Sequence, residues 1–333
     1  MRIIKPDAHE ILQETKSFED ILKHIEIVGR VCYKSEDRIA PGSAEKFVNM
    51  LRSHAHGAML EHGTIYLTIP HYNSRDDEGK CVEGEFQVLL RNKYTKVNYG
   101  QGRNSGTVYI TTNYRVIVEN ELEGLMNKYI VYKPTVFHEK RRTFIMTCDR
   151  GVTHELVRHR VASFAQESQR YVSYDKVKFG SEIKVIEPPF FQEGTIQRAV
   201  WFNACCEAEK AYFTLRNNGA TAQEARAVLP NSTATTFVMT QFESDWEHFF
   251  MLRCAPDAHP QAQEIANMIK NIYYSNLSTG VSLNFCNGCP KFEARKNIAL
   301  AQSDSVFDMA FDMQDFVLDC QKTCNRVGVN KDE

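Results

Sequence analysis

The amino-acid sequence predicts an α+β fold in which helices flank a central sheet. Three observations carry the prediction. Runs rich in β-branched and aromatic side chains occur at 64–69, 143–148 and 233–240, far apart along the chain. Segments with the apolar spacing of helices lie between and beyond them, without the strict strand–helix alternation of a parallel sheet. The composition is that of an ordinary globular protein, 43% hydrophobic and 25% charged over 333 residues.

The elements follow in order. Ser17 precedes the apolar-periodic run Phe18, Ile21, Leu22, Ile25 and Val28, and Asp20 completes a near capping box, so a helix begins there. Pro41-Gly42 breaks the chain. Ser43 opens a second helix carrying Phe47, Val48, Met50 and Leu51, which the spacing ends near Gly57. Residues 71–140 read as an insertion. Its first part, to about 107, is loop-rich, with a hairpin or short helix around Phe86 to Leu90. Leu122, Leu125, Met126 and Tyr129 then have helical spacing. A long helix spans 195–217, with Gly219 just beyond it. Thr221 and Glu224 form a capping box for the next helix, which Pro230 ends. Ser244 and Glu247 form another, opening a helix through Arg253, and Pro260 suits the first turn of a helix through Tyr274. Residues 291–333 read as an appended tail with one amphipathic helix on Val306, Phe307, Ala310, Phe311 and Val317, packed on the body.

The bulk numbers exclude several classes of function. A formal net charge of −2 argues against a surface that coats nucleic acid or an anionic membrane. No apolar run approaches the ~18 residues of a membrane span, and Met1 to Asp7 lacks the apolar stretch of an export signal. Ten cysteines are too few for a disulfide scaffold of this length, so reduced thiols and a cytoplasmic location are expected. Cys286, Cys289, Cys320 and Cys324 have irregular spacing for a zinc site, and thiols without metal are the expectation.

The stretch 149–171 carries the chemistry. It holds four arginines, two histidines, two serines, a threonine and two glutamines, and few bulky apolar residues. Arginine's planar fork fits phosphate and carboxylate, so an anionic small molecule is indicated; a solvated helix face with ion pairs such as Glu155 with Arg158 is the competing reading. His154-Glu155 followed by His159 imitates a zinc-protease motif, but the second histidine stands at i+5. On a helix that spacing turns the rings about 140° apart, unsuited to one metal.

These residues also resemble a family. Arg158-His159-Arg160, seven residues and then Ser168-Gln169-Arg170-Tyr171 is similar to the R-H-R-x7-S signature of the flavin-dependent thymidylate synthases. Four further blocks resemble the family in its order: His54-Ala55-His56 with Glu61-His62, Glu224 to Pro230, Trp246 to Arg253, and Asp257 to Ile265. The resemblance covers roughly residues 20–70 and 145–275. It implies a catalytic body over 1–290 with a mostly antiparallel central sheet, assembled as a homotetramer with sites across subunit interfaces.

The implied activity is reductive methylation of dUMP to dTMP. Methylenetetrahydrofolate is the carbon donor, FAD the hydride carrier and NADPH the reductant. By resemblance, Arg158, His159 and Arg160 line flavin and nucleotide, and His56, Ala58, Gln166, Phe242, Ser244 and His248 attend the flavin. Glu155, Arg158, Gln166, Glu167, Ser168, Gln169, Arg170 and Arg226 attend dUMP, with the Ser168 hydroxyl and loop N–H groups reaching its phosphate. Arg253 lies against the uracil and polarises it as the catalytic residue. No metal is implied. The chain departs from the commoner pattern at Gln166, which replaces a carboxylate by an amide, at Glu155, where glutamine is frequent, and at Phe242, where asparagine is frequent. An arginine-rich nucleotide or RNA binder would share the phosphate affinity but not NADPH oxidation, and an RNA-methylating flavoprotein would need a broad basic surface.

Overall fold

The computed structural model describes residues 1–14, 16–70, 82–100, 106–175 and 180–280. The chain divides into a unit Met1–Ile269 and a second unit Lys270–Glu333, described through residue 280. The tail 291–333 and the segment 71–81 lie outside the described residues.

The α+β prediction holds. Strand β1 (Arg2–Ile4) leads into β2 (Asp7–Ile11), and helix α1 (Phe18–Tyr33) follows. The Ser17 hydroxyl accepts from the Asp20 backbone N–H and caps α1, as its sequence predicts. A 3-10 turn at Glu36–Arg38 precedes α2 (Ser43–Ser53), α3 (Gly57–Leu60) and β3 (Thr64–Ile69). Helix α2 stops at Ser53, earlier than the Gly57 boundary, because Ala55 turns left-handed at φ 56° and Gly57 opens α3. Next come α4 (Val82–Leu90), β4 (Lys96–Tyr99), β5 (Val108–Asn113), α5 (Tyr114–Glu119) and α6 (Glu123–Tyr129). Strand β3 pairs β5 antiparallel and β5 pairs β4. Phe86 and Leu89 of α4, Val108 and Ile110 of β5, and Ile117 of α5 share one core with α1, α2 and β3. Where α1 crosses α2, a Cβ on Gly29 would stand 2.6 Å from the Phe47 ring, so only glycine allows the approach.

The second half builds the sheet that carries the candidate site. Strand β6 (Arg141–Asp149) runs into α7 (Arg150–Leu156), followed by β7 (Ser163–Gln166), β8 (Lys184–Ile186), α8 (Ile196–Asn217), α9 (Ala222–Ala225), a 3-10 turn at Arg226–Val228, β9 (Ala234–Phe242), α10 (Glu243–Arg253) and α11 (Pro260–Gly280). The sheet order is β2-β6-β9-β7, antiparallel throughout, with Met146 opposite Phe237 and Phe164 opposite Met239. A short parallel pair, β1 with β8, stands apart.

Two expectations are corrected, the Ser244 capping box and the end of the last helix. The stretch 149–171 itself is short helix and strand: α7 ends at Leu156, and 163–166 pairs as an edge strand with β9, where tertiary hydrogen bonds override local propensity. The i+5 angle between His154 and His159 therefore has no helix to act through. Ser244 and Glu247 form no capping box either. Strand β9 runs directly into α10, Phe242 occupies the cap position without a side-chain bond, and the Ser244 hydroxyl donates to Glu139. Helix α11 continues to Gly280, beyond Tyr274. The Thr221–Glu224 capping box is present in full, though its helix lasts only four residues before the 3-10 turn.

Candidate functional site

The segment 149–171 is the hub onto which all the other family-like blocks converge. It begins where Asp149, buried at the end of β6, accepts from the Val152 N–H at 2.7 Å and caps α7. The other Asp149 oxygen accepts from Gln261 Nε2 at 2.6 Å, which ties in the block that opens α11. Helix α10 comes in from another side. Arg253 Nη2 donates to the Glu155 carbonyl at 3.0 Å, with the Glu155 carboxylate 3.6 Å from Nη1. One α10 turn earlier His248 meets His159, their ring centroids 5.4 Å apart. Arg170 Nε donates to Gln223 at 2.9 Å, which joins α9 and hence Arg226 to the loop. Helix α3, bearing Ala58, packs against β7. Arg141 bridges α3 to β7 by donating to the Glu61 carbonyl at 2.9 Å and to Ser163 Oγ at 3.3 Å.

Within the hub the side chains differ in availability. Arg158, Arg160 and Arg226 are exposed. Arg160 folds back onto the carbonyls of Val157 and His159 and over the Phe164 ring, while the Arg158 and Arg226 guanidiniums make no hydrogen bond or ion pair with described residues. His159 is 3% exposed, and burial lowers its pKa to about 4 against a backbone hydrogen bond at Asp245 that raises it. It is therefore neutral at pH 7, an uncharged planar group among arginines. Gln166 donates to Thr153 Oγ1 at 3.0 Å and Thr235 Oγ1 at 3.4 Å. Its amide supplies donors that a carboxylate lacks, which is how the chain accommodates the replacement. Ser168 N–H donates to the Cys32 carbonyl at 3.0 Å, and Ser168 Oγ accepts from Arg170 N–H at 3.3 Å. Glu167 and Gln169 are buried, and the Glu167 carboxylate lies 3.2 Å from Lys34 Nζ.

The residues expected at the flavin sort along two elements. His56 is exposed at the start of α3, its Nδ1 2.9 Å from the Tyr33 hydroxyl, and Tyr33 packs on Tyr171 with centroids 5.5 Å apart. Phe242 and Ser244 lie at the opposite end of α10 from Arg253, about 15 Å away along a helix of this length. The Phe242 ring is buried under Arg141 and Lys96.

The donor set fits a doubly phosphorylated cofactor and a nucleotide. Arg253 Nε and Arg150 Nε are buried with no protein partner, and exposed arginines flank them. Three residues that sequence reasoning did not single out also belong here: Tyr33 against His56, Lys34 against Glu167, and Gln223 against Arg170. No spacing rule marks them, since each reaches the hub only through the tertiary fold. His154 is exposed on α7 and apart from His159, and the four-cysteine set at 286–324 lies outside the described residues.

Comparison with known proteins shows the family. The model of the family described as "Thymidylate synthase complementing protein" matches residues 94–276, more than half of the chain. A "Flavin-dependent thymidylate synthase" of Pyrococcus furiosus is 30% identical over 158 residues, 47% of this chain and 64% of that protein. One of Geobacter sulfurreducens is 35% identical over 117 residues, 35% of this chain and 49% of its own length. One of Mycolicibacterium gilvum is 32% identical over 145 residues, 39% of this chain and 55% of its own. The matched stretches thus span between about half and two thirds of these relatives.

Proposed function

This chain belongs to the thymidylate synthase complementing protein family, that of the flavin-dependent thymidylate synthases, and from that premise we propose that it converts dUMP to dTMP with methylenetetrahydrofolate as carbon donor and NADPH as reductant. The observation that carries the reading is the convergence of the family-like blocks on residues 149–171, through Gln261, Arg253, His248, Gln223 and α3. Bound FAD supplies the hydride carrier.

The chain's own residues then divide the work. Ser168, Gln169 and Arg170, with Arg226 from beside α9, bind the dUMP phosphate, while Gln166 and Glu155 meet the sugar and base. Arg158, His159 and Arg160 lie between nucleotide and flavin, and Arg158 touches both. His56, Ala58, His248 and the backbone at Phe242 and Ser244 hold the flavin. Arg253 is oriented by the Glu155 carbonyl. Its remaining N–H groups face the uracil and stabilise charge as it develops on the base, which favours attack by C5. The neutral His159 lets the arginines approach anionic ligands without adding a buried cation.

The exposed Arg158 and Arg226 support a site completed by other subunits, and a homotetramer is the assembly we assign. Among the described residues no helix is long and apolar enough to cross a membrane. A cytoplasmic location and small-molecule rather than nucleic-acid partners complete the reading. The test is the absorption spectrum of the FAD-loaded protein under anaerobic NADPH, with and without dUMP. Flavin bands that bleach, and bleach faster with dUMP, are expected. Failure to bind FAD supplied in excess overturns the reading.

A further inference from the structure

We infer that Lys34 and Arg150 are positioning residues which clamp Glu167 at its two ends and so set the loop 166–170 for the phosphate of its nucleotide. The inference rests on the nucleotide reading above and adds two residues to it. Glu167 lies within the loop, yet only 7% of it is exposed, and its bonds are directed into the protein. Its carboxylate Oε2 is 3.2 Å from Lys34 Nζ and accepts from the Thr236 N–H at 3.4 Å. Lys34 Nζ in turn donates to Thr236 Oγ1 at 2.6 Å. Glu167 also lines a cavity of about 350 Å³ together with Lys34, Thr147, Tyr174, Lys184 and Thr236. At the other end, the Glu167 carbonyl accepts from Arg150 Nη2 at 2.8 Å. The Glu167 N–H is bonded too, donating to the Thr236 carbonyl at 2.9 Å.

The N–H, the carbonyl and the carboxylate Oε2 of Glu167 are thus all engaged by the body of the protein, so its role is to fix the peptide that precedes Ser168. The placement of Lys34 agrees. It ends α1 in a left-handed conformation, φ 48° and ψ 51°, which glycine adopts without strain. A lysine there forgoes that ease and gains the reach to Glu167. Arg150 has a second feature that bears on an anion. Its Nε is buried without a partner, and burial, with Arg226 as a lesser cause, disfavours its charge. An anion beside these two arginines offsets both effects, as the phosphate of a nucleotide does.

Because Lys34 and Arg150 act through the loop, their loss should weaken phosphate recognition in particular. The experiment compares dUMP with deoxyuridine, which lacks the phosphate, by calorimetric titration of the FAD-loaded full chain. The variants are Lys34→Met, Arg150→Met and the isosteric Glu167→Gln, with Lys34→Arg as the conservative rescue and thermal melting as the measure of folding. Wild type is expected to prefer dUMP strongly. Lys34→Met and Arg150→Met should each weaken dUMP by about tenfold or more, the size of a lost charge-assisted hydrogen bond. Deoxyuridine binding should change little, and Lys34→Arg should restore most of the dUMP affinity. Glu167→Gln, which keeps the shape, should follow the same pattern if a methionine variant does not fold. Unchanged dUMP affinity in the variants overturns the inference, and so does a parallel loss of both ligands with a lowered melting temperature. Wild-type protein that binds neither ligand overturns the nucleotide reading itself, and the inference with it.

Discussion

Arg253 shows how much of the site depends on one side chain being held by another. Its Nη2 is fixed on the Glu155 carbonyl and its Nε is buried and unpaired, so the guanidinium plane is set before any ligand arrives. A lysine cannot reproduce that planar fork. We expect Arg253→Ala and Arg253→Lys each to lower dUMP-dependent turnover by about a hundredfold, the usual loss when one preorganised donor is removed from a developing charge. FAD binding should be retained, because Arg253 is assigned to the base. Steady-state kinetics beside a flavin titration checks both halves, and a lysine variant with near wild-type turnover contradicts the role. At this scale much was legible in the sequence. The arginine weighting of 149–171 pointed to an anion without any fold in hand. The partners Lys34, Tyr33 and Gln223 were not legible, because nothing local distinguishes a lysine that ends a helix from one that meets a carboxylate 133 positions later.

At the scale of elements, the sheet and α1 enclose a buried polar chain with a measurable consequence. His24 of α1 bonds Thr143 Oγ1 at 3.1 Å, Thr143 bonds Thr240 Oγ1 at 2.8 Å, and Thr240 bonds His62 Nδ1 at 2.7 Å. Burial lowers His24 to about 4, with Arg141 adding to the effect. It lowers His62 to about 3, with His24 and Arg141 adding and a backbone bond at Phe164 opposing. Both values lie below the ordinary 6.5, so on acidification the unfolded chain takes up the protons first. Stability is complete above pH 6.5 and is lost as the pH falls toward 4 and 3, by up to ~1.4 kcal/mol per pH unit for each histidine. Urea midpoints between pH 7 and 5 should fall accordingly, and His62→Gln should make the decline shallower. Midpoints that do not move over that range contradict the buried chain. Strands such as β3 and β9 were legible here because a run of β-branched residues serves one purpose in any context. Strand β7 was not: Ser163 to Gln166 has little strand propensity and becomes a strand only because β9 offers an unpaired edge. The Ser244 box misled for a related reason, since a cap needs a free residue before the helix and β9 leaves none.

For the whole molecule, the sequence order of the blocks and their spatial convergence are independent facts that agree. Blocks separated by as much as two hundred residues meet on 149–171, by hydrogen bonds and ring contacts no motif encodes. Side chains of α4, β5, α5 and α6 share one core with α1, α2 and β3, a relation hidden from sequence because loops interrupt the apolar pattern. The account of the whole stands on one reaction, and one measurement reaches it directly. The FAD-loaded protein is incubated anaerobically with dUMP, methylenetetrahydrofolate and NADPH, and the nucleotide is recovered and weighed by mass spectrometry. The account predicts dTMP, formed only when all three are present and lost in Arg253→Ala. NADPH consumed by a flavin-loaded protein that returns dUMP unchanged would contradict it.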